Sequence, residues 1–207
     1  MSIPLVDPEA RQILDAMHKR RESALAICRQ IIQLCSKSIR HVHRKQFAEA
    51  EVLLEEAKQR SRALRAELTP SPAILYAGYL QDAEKELVEA AAVFAITQSK
   101  PVPSLAELGV DVVSYLNGLG EAASECRRYA LDELRHSRGE EAERILIWME
   151  SVYDELITYD YPDSLSGGLR RTCDALRAVV ERTRSDYTLT LSQKELLAEL
   201  KKYNSSR

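Results

Sequence analysis

The residues whose type and spacing could do chemistry in this chain are carboxylates set into apolar helical runs. In K-E-L-V-E-A-A-A-V-F-A-I, Glu86 and Glu89 stand one turn apart at the mouth of an apolar stretch and point to one face. In S-Y-L-N-G-L-G-E-A-A-S-E-C-R-R, Glu121 and Glu125 stand at i and i+4 among Leu116, Leu119, Ala122 and Ala123. An ionised carboxylate drawn out of water costs several kcal/mol unless a cation or a hydrogen-bond donor compensates it. Four of them on two helices therefore point to a bound cation. An all-oxygen donor set favours Mg2+, with Mn2+ or Ca2+ as further candidates, over zinc or copper. A hard ion held by few carboxylates, with positions left for water, serves phosphodiester chemistry by activating water and neutralising developing charge. The bland alternative is that Glu86 pairs with neighbouring lysine charge, Glu125 pairs with Arg128, and all four lie on a solvated stripe. Gly118 and Gly120 weigh against it. Each costs about 1 kcal/mol relative to alanine in a helix interior, a cost offset where a backbone or ligand approaches closely.

A second constellation is basic. No acidic residue occurs between Glu22 and Glu49, whereas Arg29, Lys37, Arg40, Arg44 and Lys45 occur there with His41 and His43. Gln30, Gln33, Lys37, Arg40 and Arg44 recur at spacings of 3 and 4, one polar helix stripe able to track phosphates. The candidate phosphate contacts are Arg29, Lys37, Arg40, His43 and Arg44. Basic residues near a helix C-terminus are also favoured by its macrodipole, by about 0.3–1 kcal/mol each, so a purely structural stripe stays open. Arg170, Arg171 and Arg177 are interrupted by Asp174 and Glu181 and read as a solvated face.

The elements that must position these groups are helices. With 7 Gly and 7 Pro in 207 residues and no alternating β-branched runs, a sandwich or barrel with a turn every ~8–12 residues is excluded. Apolar periodicity and Pro/Gly breaks predict helices over about 8–44, 47–68, 72–98, 111–136, 139–160 and 168–186, with a tail helix over 191–202. The expected fold is all-α: an elongated antiparallel bundle of about seven helices, one domain over 1–207. No window approaches the ~18 consecutive apolar residues needed to cross a bilayer, and no signal peptide is evident, so a cytoplasmic protein without a membrane partner is expected. Cys28, Cys35, Cys126 and Cys173 form no C-x-x-C pair and fit helical core positions, which excludes a disulfide framework. A net charge of −3 from 29 basic and 32 acidic residues means that any nucleic-acid site is a local patch.

In order and spacing these residues resemble the translin family, and within it the translin-associated factor X branch. The likeness is carried by D-A-M-H (Asp15 to His18), Ser36-Lys37 with His43-Arg44, K-E-L-V-E-A, S-Y-L-N-G…E-A-A-S-E-C-R, and the late S-G-G-L-R-R…D-A-L-R-A-V-V-E-R-T-R-S-D-Y segment. It implies an all-α subunit of a hollow octameric shell that binds RNA. For the factor X branch it implies a Mg2+-dependent endoribonuclease with interior carboxylates. Carried over by position, the acidic set is Glu86, Glu89, Glu121 and Glu125, and Lys37 falls on an active-site lysine. Glu121 stands where the branch has aspartate, so its carboxylate reaches one methylene further, and the loop from Gln98 to Val110 is short.

The resulting expectation is RNA hydrolysis by a homo-oligomer acting on single-stranded or short duplex RNA. Glu86, Glu89, Glu121 and Glu125 would be the metal ligands, and Lys37 would stabilise phosphate charge. No Ser-His-Asp or Cys-His arrangement offers a covalent nucleophile. The alternative is a non-catalytic translin-like nucleic-acid-binding shell. A di-iron bundle would need two E-x-x-H motifs, and the chain has Glu133 to His136 alone.

Overall fold

The register of the first helix dictates where it packs. In a computed structural model that describes residues 7–205, α1 (Pro8–His43) buries Ala24, Cys28, Ile31, Cys35, Ile39 and Val42, every third or fourth residue of its second half. Leu14 and Met17 share that register but are exposed, as are residues 9–23 throughout, because among the described residues nothing covers the first turns. Asp7 caps the helix by accepting from Glu9 N at 2.9 Å. A tight turn with Lys45 at φ 59° reverses the chain into α2 (Phe47–Leu68), whose Ala50, Ala57, Ser61, Leu64 and Leu68 face inward.

The predicted helix over 72–98 is interrupted. It forms a single turn, α3 (Pro72–Leu75), and then α4 (Tyr79–Ile96), because Gly78 adopts φ +100°, a conformation that favours glycine. Gln81 spans the break, donating to Leu75 O at 3.0 Å and accepting from Gly78 N at 3.2 Å. In the link to α6 (Val112–Arg135) lies another short helix, α5 (Leu105–Leu108), closed by a reciprocal Ser104–Glu107 cap. α7 (Gly139–Leu156) ends earlier than expected, and α8 (Asp163–Ser166) precedes the Gly167-Gly168 break.

α9 (Leu169–Ser205) is continuous, where the sequence predicts separate helices over 168–186 and 191–202. The Thr188-Leu189-Thr190 stretch stays helical, with the hydroxyls of Thr188 and Thr190 donating to Arg184 O at 2.9 Å and Asp186 O at 2.8 Å. Nine helices thus occur among the described residues, six of them long, and none is long and apolar enough to cross a membrane.

α4 is packed against α1, α2 and α6, while α6 also carries α7 and α9. The α4–α6 contact therefore joins the two halves, and glycine sets its closeness. A Cβ on Gly118 would stand 2.6 Å from Val88 Cβ and 2.7 Å from Lys85 O. Gly120 does the same toward α9, where a Cβ would meet Thr172 Cγ2 at 2.5 Å. The close approach anticipated for both glycines is backbone to helix.

Candidate metal centre and basic helix face

The close α4–α6 seam brings Glu86 and Glu89 of α4 against Glu121 of α6. One carboxylate oxygen from each of the three lies within 4.8 Å of one from each of the others, and all three side chains are partly buried. Below them lies α1, whose buried Cys35 thiol is pushed up by burial and then by the charges of Glu86 and Glu89. Desolvation and crowding act on the acids too. Glu86 is raised by burial and then by Glu121, against the pull of Lys85. Glu89 is raised to about 8, first by burial and then by Glu86, Glu121 and Glu125.

Glu125, the fourth expected acid, is held elsewhere. Its Oε1 lies 2.6 Å from Nε2 of His43, whose side chain is 2 % exposed. Glu125 thus pairs neither with Arg128 nor within the three-glutamate group, although its charge still bears on Glu89. His43, expected among the phosphate contacts, points into the protein instead. It lies four residues beyond Ile39 on the buried side of α1, and that register was the signal for it.

The cation at the cluster is Lys85. Its Nζ donates to Glu121 Oε1 at 2.8 Å. Burial is the largest influence and opposes its charge, but Glu121, with Asp82 and Glu86 behind it, leaves its pKa raised. Sequence reasoning treated lysine charge here only as a partner for Glu86. Lys37, the expected active-site lysine, is exposed on α1 and is not among the charges that bear on Glu86 or Glu89. With Arg29, Arg40 and Arg44 it forms an exposed basic face that no carboxylate of the described residues pairs.

Lys85 and Glu121 also line a cavity of about 550 Å³ with Tyr76, Asp82, Asn117 and Thr172. One wall is rigid: Asn117 donates to Val113 O and Ser166 O, each at 3.0 Å, and accepts from Thr172 Oγ1 at 2.6 Å.

Other buried carboxylates have partners that explain them. Glu84 is fully buried and accepts from Arg65 Nε and Nη2 at 2.6 Å and from Asp111 N at 3.0 Å. Glu133 is held by Arg138 and by Lys45 at 2.8 Å, while His136 turns outward to Asp132 O at 2.7 Å. The E-x-x-H pair therefore does not converge on a di-iron site.

Three half-buried hard oxygen donors, with Glu86 and Glu89 raised toward protonation by burial and then by neighbouring carboxylates, fit a divalent hard cation better than an empty cluster. A cation there would relieve the carboxylate repulsion that, after burial, drives Glu89 up.

Comparison with known proteins finds relatives of the chain and of its fold. No family model matches the chain. An uncharacterised protein of Methanocaldococcus jannaschii is 29% identical over 184 residues, covering 88% of this chain and 81% of the relative. The structure of AfC3PO superposes with a TM-score of 0.83 at 34% identity, covering 89% of this chain and 96% of that one. AfC3PO in complex with duplex RNA gives 0.81 at 33% identity with the same coverage. The structure of apo-NeC3PO gives 0.81 at 23% identity, over 92% and 99% of the two chains, a likeness of fold.

Proposed function

This chain belongs to the translin family, and from that premise we propose that it is a divalent-metal-dependent endoribonuclease of the translin-associated factor X type. The observation that carries the reading is the convergence of Glu86, Glu89 and Glu121 within 4.8 Å at a half-buried seam. These three hold Mg2+, or Mn2+ in its place. When bound there, the cation neutralises the carboxylates, supplies charge for a scissile phosphate and lowers the pKa of the hydrolytic water. Glu86 and Glu89 keep their relative position because they share one turn of α4, and Glu121 is fixed by the Gly118 contact. Glu125 stands one turn beyond Glu121, oriented by His43, as an outer partner of the site. In the reaction the water oxygen joins phosphorus and the bond from phosphorus to one ribose oxygen breaks. The water proton ends on that oxygen.

RNA as the substrate is supported by the duplex RNA bound to AfC3PO and by the exposed basic face of Arg29, Lys37, Arg40 and Arg44. Ile13, Leu14 and Met17 on α1 and Leu189, Leu196, Leu197 and Leu200 on α9 are exposed apolar residues. They support assembly with further copies of the chain into a shell, an octamer as the family resemblance implies. Single-stranded or short duplex RNA would reach carboxylates enclosed in such a shell.

One observation favours the non-catalytic, RNA-binding alternative: the ammonium of Lys85 already sits on Glu121. The two readings separate in a cleavage assay on labelled single-stranded RNA with Mg2+ and with EDTA, run beside Glu89→Gln. Metal-dependent cleavage that disappears in the variant supports the nuclease. Binding without cleavage by either protein overturns it.

A further inference from the structure

We infer that Lys85 guards the metal seat in the metal-free protein and becomes the phosphate-binding cation of the reaction. The second half of this inference rests on the nuclease reading; the first half does not. Its ammonium donates to an oxygen of Glu121 at 2.8 Å, in a pair whose side chains are 29% and 36% exposed. Glu121 is also one of the three carboxylates that converge on the candidate cation site. A doubly charged ion and an ammonium on one carboxylate repel each other, and at such separations Coulomb energy exceeds thermal energy even in a partly solvated site. Lys85 therefore leaves Glu121 when the site is loaded.

The backbone determines what can move. The carbonyl of Lys85 lies against Gly118, so closely that a Cβ there would stand 2.7 Å from it. Helix α4 already packs against α6 at the glycine limit of approach at this turn, and the flexible four-carbon stem is the part able to swing. The open direction is the cavity of about 550 Å³, which Lys85 and Glu121 both line. A space of that size suits a nucleotide. Asn117 on its wall has committed its amide to Val113 O, Ser166 O and the Thr172 hydroxyl, whereas Asp82, one turn before Lys85, is exposed at the same cavity. Asp82 gives the released ammonium a weaker, solvated hold until a phosphate arrives. Lys37, exposed on α1 and not lining this cavity, is left with RNA contact.

The test is Mn2+ titration, read by electron paramagnetic resonance of the free ion, on wild type, Lys85→Met, Lys85→Arg and Lys37→Met, with RNA cleavage measured on the same proteins. Lys85→Met is expected to bind Mn2+ roughly tenfold more tightly because the competing charge is gone. Its kcat is expected to fall by roughly 10²-fold, the scale for losing one charge-stabilising group. Lys85→Arg keeps the charge and is expected to retain near wild-type Mn2+ affinity and part of kcat. It also provides a folded comparison should the methionine variant unfold. Lys37→Met is expected to raise KM and leave Mn2+ affinity unchanged. Equal or weaker Mn2+ binding by Lys85→Met overturns the seat. Tighter binding with unchanged kcat overturns the phosphate role. A wild type that cleaves no RNA overturns both the nuclease reading and the phosphate role, while the Mn2+ titration still decides the seat.

Discussion

Replacing Glu89 by glutamine is expected to stabilise the metal-free protein while removing its response to metal. The carboxyl of Glu89 is raised from 4.5 to about 8, by burial and then by Glu86, Glu121 and Glu125. Between those two values the folded chain keeps a proton that the unfolded chain has released. Without metal, wild-type stability therefore falls as pH rises through that window and levels off above about 8. At ~1.36 kcal/mol per tenfold change in proton affinity, the loss is roughly 4–5 kcal/mol. For a chain of this size that is on the order of 10 °C in the unfolding midpoint. Glutamine pays no charging cost, so in EDTA at alkaline pH the variant should melt above wild type by about that amount. At acid pH the two should converge. Mn2+ at a hundred times its Kd should return about 2.7 kcal/mol to wild type and little to the variant. At a fixed Mn2+ concentration the wild-type gain should grow with pH, because loading the site expels the proton and the Kd falls as that proton is lost. Thermal unfolding followed by circular dichroism across pH, with EDTA or Mn2+, measures all of this. A variant less stable than wild type at alkaline pH in EDTA, or an equal metal response in both, refutes the reasoning.

Three further predictions concern the frame and the basic face. Gly118→Ala would set a Cβ 2.6 Å from Val88 Cβ and 2.7 Å from Lys85 O. It should cost about 1–3 kcal/mol and weaken Mn2+ binding by parting α4 from α6; a variant that melts at or above wild type contradicts this. Arg65→Ala strands the fully buried Glu84. A loss of about 3–5 kcal/mol is expected, partly regained by adding Glu84→Gln, whereas a loss under ~1 kcal/mol would show the pair to be dispensable. Neutralising Arg29, Lys37, Arg40 and Arg44 together to glutamine should weaken duplex RNA binding and lower the slope of log affinity against log salt by roughly 3 to 4. An unchanged slope would remove this face from the RNA path.

The periodicity of α1, α2 and α6 was legible because each buries one stripe, and Ala50, Ala57, Ser61, Leu64 and Leu68 lie inward as their spacing requires. Leu14 and Met17 continue the α1 pattern but lie exposed, since spacing reports an apolar face and not what covers it. The break at Gly78 was hidden because an isolated glycine does not declare its φ. The continuity of α9 was hidden because threonine hydroxyls can bond back within a helix as well as end one. At the site, i and i+3 spacing put Glu86 and Glu89 on one face, and the Gly118 anomaly marked the close seam. What spacing could not supply was pairing between helices: Lys85 with Glu121, and His43 with Glu125. Both are contacts across more than 30 residues, set by how the helices dock.

The most direct test of the cation site at the heart of this account is anomalous diffraction from crystals grown with Mn2+. The expected result is a peak bounded by carboxylates of Glu86, Glu89 and Glu121, with Lys85 withdrawn from Glu121. Crystals saturated with Mn2+ that show no peak there, with Lys85 still bonded to Glu121, would contradict it.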